Sequence, residues 1–184
     1  MSYMNDETWV STQKLQLRIC TVDIHAILVC QELSKDQGPK AWTYGEIEYS
    51  GVKILQQELG VDGNGLIFYD LGSGLGRMVF QVFFEWRARK AIGVELSEHR
   101  HNRAVRALGN MQAEVEAEKM DTERCLEFRN ENLLASDISD ATVVYLACTC
   151  WDADFMEQVL EKQQEECAEL QWLVSTEPLV EVRQ

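Results

Sequence analysis

The run from Ile67 to Gly76 combines an apolar segment, a carboxylate and three glycines. Asp70 follows the apolar residues, and glycine then stands at alternate positions, 72, 74 and 76. Because glycine has no side chain, the backbone there can adopt positive φ and approach a ligand closely. A nucleotide-like ligand would lie at the carboxyl end of this strand, beside the first turn of the following helix.

A second carboxylate, Glu95, ends the next apolar run, 91–94. An acid about 20 residues after the glycines is where αβα nucleotide-binding proteins hold a ribose through its hydroxyls. A glycine-rich turn in an ordinary α/β protein is the alternative interpretation. The two acids in this order favour a cofactor site over that alternative.

The glycine spacing narrows the choice of ligand. The pattern is acid-x-G-x-G-x-G, which differs from the G-x-G-x-x-G of dinucleotide folds, and no Lys-Ser/Thr pair follows as in a P-loop. An acid before the turn would repel a pyrophosphate but favour a cationic amine. S-adenosyl-L-methionine has an ammonium, a sulfonium and a ribose, and no phosphate. The turn resembles motif I of the class I S-adenosylmethionine-dependent methyltransferases, with Glu95 matching their ribose-binding acid.

Composition and charge limit the functional classes. The 184 residues are 46% hydrophobic and 26% charged, as expected for one globular domain. A formal net charge of −14 argues against tight nucleic-acid binding, which needs Lys and Arg at phosphates. The charge is compatible with a basic protein substrate, and solubility alone would explain it equally well.

The six cysteines show no zinc-ligand spacing, so no metal site is predicted. No signal peptide is recognisable, and no apolar run is long enough to cross a bilayer. We therefore expect reduced thiols, no membrane association, and a location in the cytosol or nucleus.

The hydrophobic periodicity predicts an α/β fold with a doubly wound, mainly parallel sheet and helices on both faces. Residues 1–40 are predicted as an N-terminal helical segment, with a frayed start at 1–12 and a helix at 15–33. Residues 41–184 would form the cofactor-binding core. Within it, helices are predicted at about 50–59, 78–86, 97–118 and 153–168, with Ser97 as an N-cap. Strands are predicted at about 67–71, 90–95, 125–129, 142–147 and 170–175.

The end of the sequence leaves little room for further strands. Class I methyltransferases resemble one another in a seven-stranded sheet whose last two strands form a hairpin. Only a few residues follow Pro178. The hairpin is therefore predicted to be missing, which would leave a sheet edge to be covered by a partner chain or by oligomerisation. A truncated product with impaired catalysis is a further interpretation.

A second motif makes the resemblance more specific. Upstream of the glycine turn stands Thr43-Tyr44-Gly45-Glu46-Ile47, and Gly93-Val94-Glu95 follows downstream. In this order the motifs resemble the catalytic core of the disruptor-of-telomeric-silencing (Dot1-type) histone lysine methyltransferases, over about residues 41–178. The resemblance implies methyl transfer from S-adenosyl-L-methionine to a lysine of a basic, histone-type protein in the nucleus.

The resemblance also implies roles for individual residues. Tyr44, Gly45 and Glu46 would close over the methionine part of the cofactor, and Glu95 would hold its ribose. The glycine turn would line the amino-acid end of the cofactor, and the segment after the third strand would contact its adenine. These cofactor-binding residues are Tyr44, Gly45, Glu46, Asp70, Gly72, Ser73, Gly74, Gly76, Glu95, Glu131 and Asn132.

The methyl acceptor is predicted to enter beside the end of the fourth strand. Thr149 would hydrogen-bond an incoming amine, and Trp151 would wall the channel or make a cation–π contact. Together with Tyr44, these are the candidate catalytic residues. Two other functions stay open: methylation of a small molecule or of a non-histone protein, which would suit the cytoplasm, and a cofactor-binding scaffold without activity.

Overall fold

The computed structural model describes residues 4–12, 15–22, 27–28, 46–119, 123–177 and 179. Its main sheet has seven strands in the order β1-β2-β9-β8-β5-β6-β7, and β3 and β4 form a separate pair. The strands are β1 (Met4–Thr12), β2 (Leu15–Val22), β3 (Ile27–Leu28), β4 (Glu46–Ile47), β5 (Ile67–Leu71), β6 (Lys90–Val94), β7 (Cys125–Arg129), β8 (Val143–Leu146) and β9 (Trp172–Ser175).

In the described part of the chain, five helices lie between strands. They are α1 (Tyr49–Leu59), α2 (Arg77–Glu85), α3 (Glu98–Asn110), α4 (Gln112–Lys119) and α5 (Ala153–Glu166). Strands β2, β9, β8, β5, β6 and β7 are parallel to one another, whereas β1 is antiparallel to β2. The predicted fold class, a doubly wound and mainly parallel sheet, is confirmed. No described helix has the length and apolar character that a membrane span requires.

The core lies on both faces of the sheet because successive side chains of each strand point to opposite faces. Phe68 and Tyr145 pack on one face with residues of α1 and α2. Their neighbours Tyr69, Val144 and Leu146 pack on the other face with residues of α5. All four residues of β8 are buried, as expected for a parallel strand covered on both sides.

The N-terminal prediction was wrong where the structure describes it. The frayed start is the strand β1, and the first part of the helix predicted at 15–33 is the strand β2. In this segment Leu15, Leu17 and Ile19 alternate with Gln16 and Arg18, which is the pattern of a strand with one buried face. The apolar residues are also compatible with a helical spacing, so the sequence pattern alone did not distinguish the two. Pairing of β2 with both β1 and β9 decides in favour of the strand.

The sheet edge that the sequence predicted to be open is occupied by the chain itself. β2 runs parallel to β9, with Arg18 opposite Trp172 and Thr21 opposite Ser175. β1 then pairs with the outer side of β2. This side of β9 is therefore covered by an N-terminal hairpin of the same chain.

The helix predicted at 97–118 is two helices that meet at Met111. The Met111 amide donates to both Ala107 O and Leu108 O, and its backbone leaves the helical region. Gly109 and Asn110 precede it, and both have low helix propensity. Ser97 does occupy the N-cap position, but its side chain makes no capping hydrogen bond.

Candidate functional site

The two predicted carboxylates lie at the same edge of the sheet, on neighbouring strands. Asp70 is opposite Gly93 in the β5–β6 register, and Glu95 directly follows β6. The amides of Gly72 and Ser73 donate to Val94 O at 2.8 and 3.0 Å. These hydrogen bonds fix the glycine turn to the end of β6, beside Glu95.

The turn has the backbone geometry that its glycines predicted. Gly72, Gly74 and Gly76 have φ values of 93, 55 and 79°, in the left-handed region that other residues rarely adopt. Gly76 is also closely packed, because a Cβ added there would lie 2.4 Å from Phe128 Cε1. Two independent constraints therefore require glycine at position 76.

Glu95 connects three parts of the site. Its side chain is 6% exposed, and its Oε2 accepts the Gly74 amide at 2.8 Å. Its Oε1 accepts the Ser97 amide at 2.7 Å and lies 3.3 Å from Arg100 Nη2. These contacts hold a buried negative charge against the glycine turn and the first turn of α3, which supplies the compensation that a buried carboxylate needs.

A buried hydroxyl in the turn is available for a ligand. Ser73 is 7% exposed, and its Oγ has no hydrogen-bond partner among the described residues. Buried polar groups in proteins are usually hydrogen-bonded, so this one fits a site that a polar ligand completes. The glycine backbone, Ser73 Oγ and the Glu95 carboxylate together fit the amino-acid and ribose groups of an adenosyl cofactor.

Asp70 contributes charge beneath the turn. It is 3% exposed and stands opposite Tyr145 in the β5–β8 register. Burial raises the pKa of the Tyr145 phenol, and the negative charge of Asp70 raises it further. Tyr145 is therefore a neutral phenol at physiological pH.

Trp151 lies against the glycine turn, and its role at the acceptor channel stays a prediction. A short turn follows β8, in which the Trp151 amide donates to Cys148 O at 3.0 Å. A Cβ added to Gly72 would lie 3.6 Å from Trp151 Cζ2. Phe155 of α5 supports the indole edge-on, with ring centroids 5.2 Å apart. Thr149 is half-buried in the same turn, with its Oγ1 3.8 Å from Cys150 Sγ.

The predicted adenine segment begins one strand further along the sheet. Glu131 is half-buried, and its Oε1 accepts the Ser136 hydroxyl at 2.6 Å. Asn132 is exposed and caps a turn by accepting the Leu134 amide at 3.0 Å. Each residue thus makes a local structural contact, and the predicted contact of both with adenine stays a prediction.

The sequence analysis missed three residues around Glu95. Leu96 is 68% exposed, an unusual value for a large apolar residue, and it follows Glu95 directly. Asn130 Nδ2 donates to Glu95 O at 2.8 Å and to Leu96 O at 3.2 Å. Arg100 forms the ion pair with Glu95. Two features of the sequence could have indicated these contacts. Asn130 is a polar residue one position after β7, and Arg100 is a cation in the first turn of α3.

The Tyr-Gly-Glu loop is only partly described. Tyr44 and Gly45, together with Trp42, lie outside the described residues. Glu46 belongs to β4, where it is opposite Leu28. The predicted closure of this loop over the cofactor stays a prediction.

The large cavity near the turn is not the candidate site. It has a volume of about 950 Å³ and lies between α1, α2 and α3, with Tyr49, Phe80 and Met111 among its lining residues. It reaches the end of the glycine turn at Leu75, but neither Asp70 nor Glu95 lines it. The chemistry of the site comes from the strand ends.

Comparison with protein families identifies the chain. Residues 25–184 match the family described as "Histone methylation protein DOT1". The chain belongs to the DOT1 family. The match includes the Tyr-Gly-Glu loop, the glycine turn and Glu95, the motifs that indicated this family in the sequence. No curated protein sequence matches the chain.

Solved structures confirm the methyltransferase fold of this DOT1 family member. An RNA methyltransferase from Salinibacter ruber in complex with S-adenosyl-L-homocysteine is 27% identical with a TM-score of 0.50, and the match covers 66% of this chain and 71% of that one. A geranyl diphosphate C-methyltransferase from Streptomyces coelicolor A3(2) is 16% identical with a TM-score of 0.52, and the match covers 70% of this chain. This chain spans 46% of the latter protein.

Proposed function

We propose that this chain transfers a methyl group from S-adenosyl-L-methionine to a lysine amine of a basic, histone-type protein. The observation that carries the proposal is the buried Glu95 carboxylate bound to the Gly74 amide, at the edge of the sheet where Asp70 also ends its strand. Membership of the DOT1 family supports a histone lysine as the acceptor.

The cofactor predicted from the sequence, S-adenosyl-L-methionine, agrees with the S-adenosyl-L-homocysteine bound by the Salinibacter ruber RNA methyltransferase. When bound, it would supply an electrophilic methyl group on a sulfonium. The glycine turn and Ser73 would hold its amino-acid end, and Glu95 its ribose. The exposed face of Leu96 would pack against the adenine, and Glu131 and Asn132 would lie beyond it. Tyr44, Gly45 and Glu46 would cover the methionine part.

The acceptor would enter over Trp151. A lysine amine must be neutral to attack, and removal from water in an apolar channel lowers the pKa of an amine because it disfavours the charged form. Thr149 Oγ1 would accept a hydrogen bond from the amine and align it with the methyl carbon. The amine would take the methyl group from the sulfonium, which would leave as a neutral thioether, and the proton that the lysine loses would go to water. Positioning of this kind supplies several kcal/mol without an acid–base pair.

The charge of the chain supports a basic acceptor. A formal net charge of −14 attracts Lys- and Arg-rich segments and repels nucleic-acid phosphates. With a histone as acceptor, the site of action is the nucleus; with another protein or a small molecule, it is the cytoplasm.

The proposal is tested by radiolabelled methyl transfer. The purified chain is incubated with labelled S-adenosyl-L-methionine and, in separate reactions, with core histones, a free lysine-rich peptide, total RNA and a small-molecule extract. We expect label on lysine in the histone reaction and none on RNA. Gly74→Val, which fills the turn beside Glu95, is the inactive control.

The other outcomes separate the alternatives. Label only in the extract would replace the histone by a small molecule, and label only on RNA would replace it by RNA. Calorimetric binding of S-adenosyl-L-homocysteine without transfer to any acceptor would make the chain a cofactor-binding scaffold. Absence of binding would mean that the pocket is wrongly placed.

A further inference from the structure

A second cavity lies at the edge of the sheet opposite to the glycine turn. It has a volume of about 500 Å³, and its lining residues stand shortly before β5, β6 and β7. The first residues of these strands, Ile67, Lys90 and Cys125, are neighbours in the parallel register, so all three strands start at this edge. β5 has five residues at about 3.3 Å each, which separates the cavity from the glycine turn by roughly 16 Å. A ligand bound here would not touch the candidate cofactor site.

Three arginines line this cavity, two before β6 and one before β7. Arg124 is 6% exposed, its Nε donates to Ala88 O at 3.0 Å, and its Nη2 donates to Phe83 O. These carbonyls fix the position of the buried guanidinium. Arg87 and Arg89 are exposed. A guanidinium presents paired N–H groups that match the oxygens of a phosphate, so the cavity has suitable donors for such a group.

The cavity is a region of positive charge in an acidic protein. Asp62 and Glu123 line it together with the three arginines, so the formal count is 3 − 2 = +1. The whole chain carries a formal net charge of −14. Asp62 Oδ1 also accepts the Asn64 amide at 3.1 Å, which directs this oxygen to its own loop. The local excess of positive charge favours an anionic ligand.

Glycines and a strained arginine shape the wall of the cavity. A Cβ added to Gly63 would lie 2.3 Å from Arg87 O, so the glycine loop packs directly on the turn at Arg87. A Cβ added to Gly65 would have no atom within 4 Å, so the backbone there borders open space. Among the described residues, only Arg87 combines a side chain with a positive φ, of 59°. Glycine would suit that backbone better, so the presence of a guanidinium indicates a role for the side chain.

We infer that this cavity binds a small phosphate-bearing ligand, at a site separate from that of the adenosyl cofactor. Arg87 and Arg89 would hold the phosphate oxygens, and the fixed guanidinium of Arg124 would add positive charge beside them. The bare backbone at Gly65 lets the ligand approach closely. The volume lies within the range of about 300–1,000 Å³ that is usual for small-molecule sites, which leaves room for an organic group attached to the phosphate.

The test is calorimetric titration of the full chain with inorganic phosphate and with ribose 5-phosphate. We expect one binding site for each probe, and ribose 5-phosphate should bind at least as tightly as inorganic phosphate. Saturation of the chain with S-adenosyl-L-homocysteine should leave both affinities unchanged, because the two sites lie at opposite edges of the sheet. Added salt should weaken both, because exposed guanidinium groups and phosphate attract each other less when they are screened.

Two variants locate the binding. Arg89→Gln and Arg87→Gly should each weaken the binding of ribose 5-phosphate by about fivefold or more, because each removes a charged donor. Arg87→Gly should not lower the midpoint of urea unfolding, because glycine adopts a φ of 59° without strain. Its loss of affinity therefore cannot come from a loss of fold. Arg106→Gln, which removes an exposed arginine of α3 outside this cavity, is the matched control and should bind like the wild type.

Failure of ribose 5-phosphate to bind the wild-type chain would overturn the inference. So would an equal loss of affinity in Arg106→Gln, which would make the attraction one of general charge. Displacement of the probe by S-adenosyl-L-homocysteine would place the phosphate in the cofactor site, and binding of a short DNA duplex in place of ribose 5-phosphate would make the surface a nucleic-acid contact. Each of these results rejects the small phosphate ligand and leaves the proposed methyl transfer standing.

Discussion

At the scale of single residues, the site depends on glycines, which have no side chain, and on a carboxylate whose oxygens are hydrogen-bonded. Gly76 has to lack a Cβ because Phe128 fills the adjacent space, and Glu95 has to offer two acceptor oxygens because two amides and a guanidinium face it. Such positions tolerate few replacements, since each satisfies a backbone constraint and a packing constraint together. A substitution at Gly76 tests this.

Gly76→Ala should destabilise the fold. The added Cβ would meet Phe128 at 2.4 Å, and alanine at a φ of 79° is strained. We expect the free energy of unfolding in urea to fall by about 2 kcal/mol or more. Gly109→Ala is the matched control, because it lies within α3 with nothing within 4 Å, and it should gain about 0.5–1 kcal/mol. Equal stability of the two variants would contradict the packing argument.

Cys167 should make the fold sensitive to alkaline pH. Burial raises the pKa of its thiol from 9.0 to about 12, and its Sγ donates to Ile138 O at 3.2 Å. Because the folded pKa is the higher one, this contribution is complete below pH 9 and is lost as the pH rises toward 12.

Cys167→Ser retains a donor but does not ionise in this range. Between pH 9 and 11 its free energy of unfolding should fall less steeply than that of the wild type, by at most about 1.4 kcal/mol per pH unit. Urea titrations at several pH values measure the two slopes. If the free energies of unfolding of the two proteins change equally with pH, ionisation of the thiol is not coupled to unfolding.

At the scale of elements, hydroxyl groups join the ends of neighbouring segments. At the carboxyl edge, Thr176 Oγ1 accepts the Cys148 amide at 3.0 Å, and this bond anchors the turn that presents Trp151. At the opposite edge, Thr142 Oγ1 accepts the Ile67 amide at 2.9 Å. The two threonines make the same kind of contact, but only the first supports the site.

Thr176→Val should therefore lower both stability and activity. It leaves the Cys148 amide without its acceptor, which costs about 1–3 kcal/mol in the free energy of unfolding. Release of the 148–151 turn should raise the KM for the peptide acceptor. Thr142→Val should cost a similar free energy of unfolding and leave KM unchanged. Urea unfolding and peptide titrations in the radiolabel assay check both, and an equal change of KM in the two variants would refute a local role for Thr176.

At the scale of the whole molecule, the chain completes its sheet with its N-terminal hairpin. β2 lies on the side of β9 where the sequence predicted an open edge, and β1 covers β2. The methyltransferase core is thus closed on this side by residues that the sequence analysis placed in a separate helical segment.

Deletion of residues 1–22 should expose the edge of β9. Unpaired parallel strands associate readily, so the shortened chain should form dimers or aggregates and unfold at a lower temperature. Light scattering after size-exclusion chromatography and a thermal melt measure both effects. Deletion of residues 1–3, which precede β1, is the control. A monomeric and equally stable 1–22 deletion would show that the hairpin does not close the sheet.

The sequence predicted the central part of the fold and the position of the glycine turn, because both depend on local patterns. Buried strands such as β8 have no charged residue, and the alternating glycines allow one backbone geometry. It failed at β2, where a spacing compatible with helix and strand was decided by pairing with a distant β9. Arg100 was missed for a similar reason. Its contact with Glu95 depends on how α3 leaves β6, which no local pattern specifies.

The pairing of Arg18 with Trp172 joins two segments at nearly opposite ends of the chain. During synthesis, β2 leaves the ribosome long before β9 has been made. The contact between them closes a long loop, so its entropic cost falls at the end of folding. The glycine turn and its neighbouring strands can assemble earlier, from contacts closer in sequence. Nascent chains should therefore acquire the cofactor pocket before the sheet is complete, and their early hairpin is the segment that chaperones need to shield.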